Sequence, residues 1–154
     1  MVVHGTRVVA PGVVLLMLLW CLPSGGCAAR GPVFSPVVAP GDDGVVYVYR
    51  RGAVLEGRDV KIFIDAEYVG RLGAGEYVAR VVAPGERLIR AERKRELVVA
   101  APVARGESVF YEVKIGAFQA RPELTQRLPE EALPWISKLH QGPGVQIRGS
   151  ESGG

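Results

Sequence analysis

The sequence predicts a mainly β protein, a small antiparallel β-sandwich with a short C-terminal helix. Three observations carry this. Apolar and polar residues alternate with a period of two through most of 45–115, the spacing that turns successive side chains to opposite faces of a strand. The alternating segments are short and are separated by turn formers such as Pro84-Gly85 and Arg105-Gly106. Glycine (20) and proline (11) are plentiful in 154 residues while aromatic residues make up only 7%, a composition that favours tight turns over long helices. With 48% hydrophobic and 23% charged residues the chain can bury a core, and its length suits one ordinary domain with tails.

The amino terminus reads as an export signal over 1–26. Behind His4 and Arg7, residues 13–22 run VVLLMLLWCL without a polar interruption. A helix needs about 20 apolar residues to span a bilayer, so this run is too short to be a membrane anchor and has the form of a secretory signal. Pro23-Ser24-Gly25-Gly26-Cys27 follows it. Two small residues before a cysteine resemble the lipobox of bacterial lipoproteins, which implies acylation of Cys27 and a membrane partner reached through a lipid anchor. Ser24 stands where that motif usually has leucine, so cleavage around 27–29 by an ordinary signal peptidase, giving a soluble periplasmic protein, stays open as the alternative. Ala28, where enteric lipoproteins carry aspartate for inner-membrane retention, implies outer-membrane delivery with the domain facing the periplasm.

Residues 27–44 are expected to be the lipidated start and a tether, because Gly31-Pro32, Pro36 and Pro40-Gly41 keep the chain extended or free to turn. The folded domain is expected over 45–140, and 141–154, rich in glycine and serine, is expected to be a disordered tail.

Within the domain, 45–50 places Val46 and Val48 on one side and Tyr47 and Tyr49 on the other, which suits a central strand covered on both faces. Val60, Ile62 and Ile64 share a face, and 65–70 is read as a turn. Residues 76–82 alternate around Tyr77, Ala79 and Val81, and Pro84-Gly85 is read as the turn of a hairpin. The segments 87–93 and 96–101 pair across Arg93-Lys94-Arg95. In 108–115, Val109, Tyr111, Val113 and Ile115 line one face and Glu112 and Lys114 the other. Six or seven strands result. Pro129-Glu130-Glu131 starts a helix, with proline in the first turn and carboxylates near the positive end of the dipole. Its apolar stripe is Leu128, Ala132, Trp135 or Ile136, and Leu139, and Pro134 is expected to kink or restart it.

These residues also carry a family resemblance. Val60-Lys61-Ile62-Phe63-Ile64-Asp65, then Tyr68-Val69-Gly70-Arg71-Leu72, Gly75-Glu76-Tyr77, Ala83-Pro84-Gly85-Glu86 and Leu88 to Glu92, resemble the hairpin series of PEGA-type domains. Preceded by Val46-Tyr47-Val48-Tyr49-Arg50 and followed by Gly106-Glu107-Ser108-Val109-Phe110-Tyr111, the series is similar to a family of bacterial lipoproteins catalogued as a domain of unknown function, number twenty-eight forty-six. The resemblance implies an envelope lipoprotein with a PEGA-like, immunoglobulin-like β-sandwich, and it supplies no catalytic residue.

Few residues suggest chemistry. Once the signal is removed only His140 could serve as a base near neutrality, and only Cys27 remains of the two cysteines, so no disulfide, metal site or cofactor is implied. Arg7 leaves with the signal, so Lys+Arg 19 falls by one against Asp+Glu 16, a balance that does not call for nucleic acid. Asp65 and Glu67 could act as an acid and base on a glycan, although a turn-forming aspartate explains the pattern more simply. Arg87, Arg90, Arg93, Lys94 and Arg95 are the densest basic group, a candidate surface for an anionic partner: anionic lipid, lipopolysaccharide or peptidoglycan carboxylates. Glu86, Glu92 and Glu96 interleave them, and cross-strand ion pairing accounts for the same residues. Tyr47, Tyr49, Tyr68, Tyr77, Phe110, Tyr111 and Phe118 could line a sugar-binding face, but strand periodicity places most of them in the core between two sheets. The reading is a non-enzymatic binding or scaffolding module for an envelope protein or cell-wall partner.

Overall fold

A computed structural model describes residues 31–52, 59–115 and 121–144, so the expected signal peptide, Cys27, Phe118 and most of the expected tail lie outside the described residues. The chain is a two-sheet β-sandwich with one short helix. Its strands are β1 (Gly44–Arg50), β2 (Val60–Ile64), β3 (Glu67–Leu72), β4 (Glu76–Val82), β5 (Gly85–Glu92), β6 (Glu96–Val103), β7 (Ser108–Lys114), β8 (Glu123–Arg127) and β9 (His140–Gln141), with helix α1 (Pro129–Ile136) between the last two. One sheet has the order β8-β7-β1-β4-β9 and the other β3-β2-β5-β6. The first is mixed, because β1 runs parallel to β7 and β4 parallel to β9, whereas the second is antiparallel throughout.

The alternation read from the sequence fills the space between the sheets. Val46 and Val48 of β1, Val78 of β4, and Val109, Tyr111 and Val113 of β7 meet Val60, Ile62 and Ile64 of β2 and Ile89 and Ala91 of β5. β1 is buried along its whole length, as a central strand with two covered faces should be. Its second face, with Tyr47 and Tyr49, joins Tyr77, Ala79 and Phe110 in a separate apolar layer on the outside of the five-stranded sheet. Most of the aromatic core therefore lies outside the sandwich rather than between its sheets.

Two elements cover that outer layer. Helix α1 supplies Ala132 and Ile136, followed by Leu139, so Ile136 takes the inward position and Trp135 stands 47% exposed. The helix passes through Pro134 without restarting. The second cover is the segment expected to be a tether. Phe34 sets its ring edge-on to Tyr77 at 5.2 Å and tilted against Tyr47 at 5.6 Å, while Val37 and Ala39 pack beside it. The Phe34 N–H donates to Leu139 O, and Val33 forms a β-bridge with His140. Residues 31–44 are thus part of the folded domain: proline keeps this stretch extended, and its three apolar side chains face an apolar sheet. The start of the expected tail is also bound, since Gly142 N–H donates to Tyr77 O and Arg71 N–H to Pro143 O.

Several connections differ from the sequence reading. The turn in 65–70 is only Asp65-Ala66, both at positive φ (50° and 67°), and Glu67 already begins β3. Such φ values are those of a two-residue hairpin turn that matches the twist of its strands. Pro84-Gly85 is not a hairpin turn, because β4 and β5 belong to different sheets; Gly85 at φ 126° turns the chain from one sheet to the other. The 72–75 connection likewise crosses between sheets, with Gly75 at φ 79°. The expected β5–β6 hairpin does form, pairing Glu92 with Glu96 around Arg93-Lys94-Arg95. β8 and β9 add two strands that the periodicity does not announce.

Candidate functional site

Among the described residues the five-stranded sheet is covered on both faces, and the outer face of β3-β2-β5-β6 is the broad sheet surface left open. Cross-strand register brings Tyr68, Phe63, Arg90 and Val98 into one row across it. Tyr68 meets Phe63 edge-on at 5.5 Å, and the Arg90 guanidinium lies 4.0 Å from the Phe63 ring centroid. Leu88 and Ala100 form the next row, and Tyr68, Leu88 and Val98 remain about half exposed. Arg90 also reaches Glu96 at 3.6 Å, so its charge is held over the aromatic ring and partly balanced. β6 forms one edge of this sheet and carries Pro102, which lacks a ladder donor, as edge strands tolerate.

The five basic residues singled out in the sequence do not form one patch. Alternation along β5 turns Arg87 toward the side of Ile89 and Ala91 and Arg90 toward the outer face. Arg87 lies at one end of the strand, where it bonds Asp65 Oδ2 at 3.1 Å and Pro84 O at 3.0 Å. Arg93, Lys94 and Arg95 lie in the hairpin at the other end, about 20 Å along the strand. No family model, curated protein or solved structure matches the chain. What its surfaces do is argued from their own geometry.

Asp65 and Glu67 are each engaged by an arginine. Asp65 Oδ1 accepts the Leu88 N–H at 3.0 Å and Oδ2 the Arg87 guanidinium, while Glu67 pairs with Arg80. Partial burial alone would raise the pKa of the Asp65 carboxyl, but the Leu88 N–H and the Arg87 and Arg80 charges outweigh it and hold the group below its ordinary value. This is the chemistry of a charged turn clasp across β2, β3 and β5. His140 is half-buried in β9, with Nδ1 2.9 Å from Gly31 O, so it ties the amino-terminal segment to the sheet rather than standing free at a helix end. Among the described residues no three His, Cys, Asp or Glu side chains converge as a metal site would require.

The densest charge centre is one that sequence spacing does not reveal. Glu112 is 2% exposed; its Oε2 accepts Arg127 Nε at 2.9 Å and Arg51 Nη2 at 3.4 Å, and its Oε1 stands in ion-pair contact with Arg51 Nε at 2.9 Å. The Arg51 guanidinium also lies 4.2 Å from the Trp135 ring centroid, and Arg127 approaches Glu131 at 3.9 Å. β1, β7, β8 and α1 are clasped at this point. Burial pushes the Tyr49 hydroxyl pKa up, and the Glu112 charge adds to that, opposed by Arg51 and Arg127. Glu112 reads in sequence as an outward polar residue, but β8 and the helix close over its face. Both carboxylate oxygens are engaged, which suits a clasp and not a proton carrier.

Proposed function

We propose that the protein is an exported cell-envelope module, held to the membrane by a lipid on Cys27, whose sandwich binds a protein or cell-wall partner without turning over a substrate. The apolar run at 13–22 followed by Gly25-Gly26-Cys27 supports export and anchoring. No described helix is long and apolar enough to cross a membrane.

The observation that carries the binding part is the asymmetry of the sandwich. One sheet has both faces covered, and the other leaves Tyr68, Leu88 and Val98 half exposed around the Phe63–Arg90 stack. A ring with a polar edge, an arginine and flanking aliphatic side chains is the composition of a recognition surface. The carboxylates offered by the sequence for catalysis are engaged in ion pairs with arginine, which favours holding over turnover.

Labelled palmitate in the native host, with and without globomycin, tests the anchor. Label is expected in the wild-type chain and not in Cys27→Ala, and an unlabelled wild-type chain defeats the lipid. A soluble periplasmic module is then the remaining reading, visible in the mass of the mature amino terminus. A photoreactive residue at Val98 tests the face: a discrete crosslinked product is expected in cells, and none from the same residue placed at Glu130.

A further inference from the structure

The two ends of the sandwich carry different charge, and register fixes which residues stand at each. β1, β3, β5 and β7 end where β2, β4, β6 and β8 begin. That end carries Lys61, Arg71, the Arg93-Lys94-Arg95 hairpin, Lys114 and Arg121 against Asp59, Glu76, Glu92, Glu96 and Glu123. Lys61 pairs with Glu92 and Arg71 with Asp59, whereas Lys94, Arg95, Lys114 and Arg121 are exposed with no ion pair among the described residues. The opposite end collects Asp42, Asp43, Asp65, Glu67, Glu86 and Glu107, and the arginines near it, Arg80, Arg87 and Arg105, are paired with acids. The domain is therefore an electrostatic dipole along its strands.

The described amino-terminal segment begins at the basic end. Gly31 O meets His140 Nδ1, and His140 pairs with Glu76 at the start of β4. Because 31–44 is bound to the sheet, Cys27 is not separated from the domain by a seventeen-residue tether. Four residues of fully extended chain reach at most about 14 Å from Gly31. A lipid on Cys27 would bring this end to the headgroup layer, within reach of a surface potential that decays over about 10 Å at 0.1 M salt.

We infer that the basic end of the sandwich, centred on Lys94 and Arg95, docks on anionic phospholipid headgroups of the leaflet that holds the anchor. The inference rests on acylation of Cys27 as proposed above. A lipid anchor and a basic surface act on the same leaflet, each adding to the other. The acidic end then points away from the membrane, and the open face of β3-β2-β5-β6 stands along the membrane normal, free at its side for a partner.

The test uses the acylated chain, purified from its host and reconstituted in vesicles. Amine-reactive footprinting of Lys94, read by mass spectrometry, is compared on phosphatidylglycerol-containing vesicles and on neutral phosphatidylcholine vesicles. Labelling is expected to be slower on the anionic surface and to recover in 0.5 M salt. In an Arg95→Glu chain the protection of Lys94 should fall by about fivefold or more, the loss associated with one basic residue at such a surface. Equal labelling of Lys94 on both vesicles, in a chain that does carry palmitate, overturns the docking and leaves the anchor intact. Protection conferred by peptidoglycan fragments but not by anionic lipid overturns it as well. A chain without palmitate removes the anchor itself, and the docking with it.

Discussion

Val37 donates its backbone N–H to the Tyr47 hydroxyl at 2.8 Å, fastening a proline-rich segment to the central strand of the sandwich. Tyr47 is also stacked on Phe110 at 4.9 Å with the rings almost parallel. A buried phenol needs a partner for its hydroxyl, and an extended segment with unpaired N–H groups supplies one. The same contact holds residues 31–44 against the outer face of the five-stranded sheet.

Phe34→Ala is expected to destabilise the domain by about 2 kcal/mol, the cost of removing a partly buried aromatic side chain from a packed layer. Urea unfolding of the wild type and variant checks this. Unchanged stability would mean that 31–44 is a loose tether after all.

Ala66 sits at φ 67° in a two-residue hairpin turn. A side chain is strained in this region and glycine is not. Ala66→Gly should therefore stabilise the protein by about 0.5–1 kcal/mol, seen as a rise of several degrees in the melting temperature.

Asp65 links stability to acid pH. Its carboxyl has a lowered pKa in the folded state, so below the ordinary carboxylate range the unfolded chain takes up the proton first. The contribution of the Asp65 clasp is full above about pH 5 and is lost as pH falls through its depressed value. Asp65→Asn should be less stable than wild type at pH 7, and the two should converge near pH 2 in denaturant titrations.

At alkaline pH the sign reverses. Burial raises the pKa of Tyr47, Tyr49, Tyr77 and Tyr111, with a nearby carboxylate adding to the effect for Tyr49 and Tyr111. The unfolded chain then loses these protons before the folded one. Their contribution is present below about pH 10 and disappears above it. Absorbance at the phenolate band should rise together with the loss of β-sheet circular dichroism in one transition.

Glu112→Gln keeps the shape of the central clasp and removes its charge from between Arg51 and Arg127. A cost of about 2–4 kcal/mol is expected, because the partners lose the carboxylate that compensates them. Both arginines retain some solvent, which holds the figure below that of a fully buried pair. A variant as stable as wild type in guanidinium would show that solvent already screens the centre.

The sequence by itself determined that β1, β2, β4, β5, β6 and β7 are strands, while it took most of β3 for a turn. Alternation is a local property, and a strand with valine on one side and tyrosine on the other, as in β1, announces two covered faces. It also determined that the Arg93–Arg95 turn is a hairpin, since two alternating runs flank three polar residues. Only the tertiary structure decided which sheet each strand joins. Backbone donors and acceptors are the same in every residue, so Pro84-Gly85 can close a hairpin or turn a corner between sheets, and the choice rests on contacts distant in sequence. β8 was hidden for a related reason: an edge strand with Leu124 and Arg127 half covered buries too little to show a period. Glu112 meets Arg51 from 61 residues away, and Phe34 finds Tyr77 across the whole of β1, β2 and β3. Such pairs, and the charge polarity of the ends, exist only once the strands have chosen their neighbours.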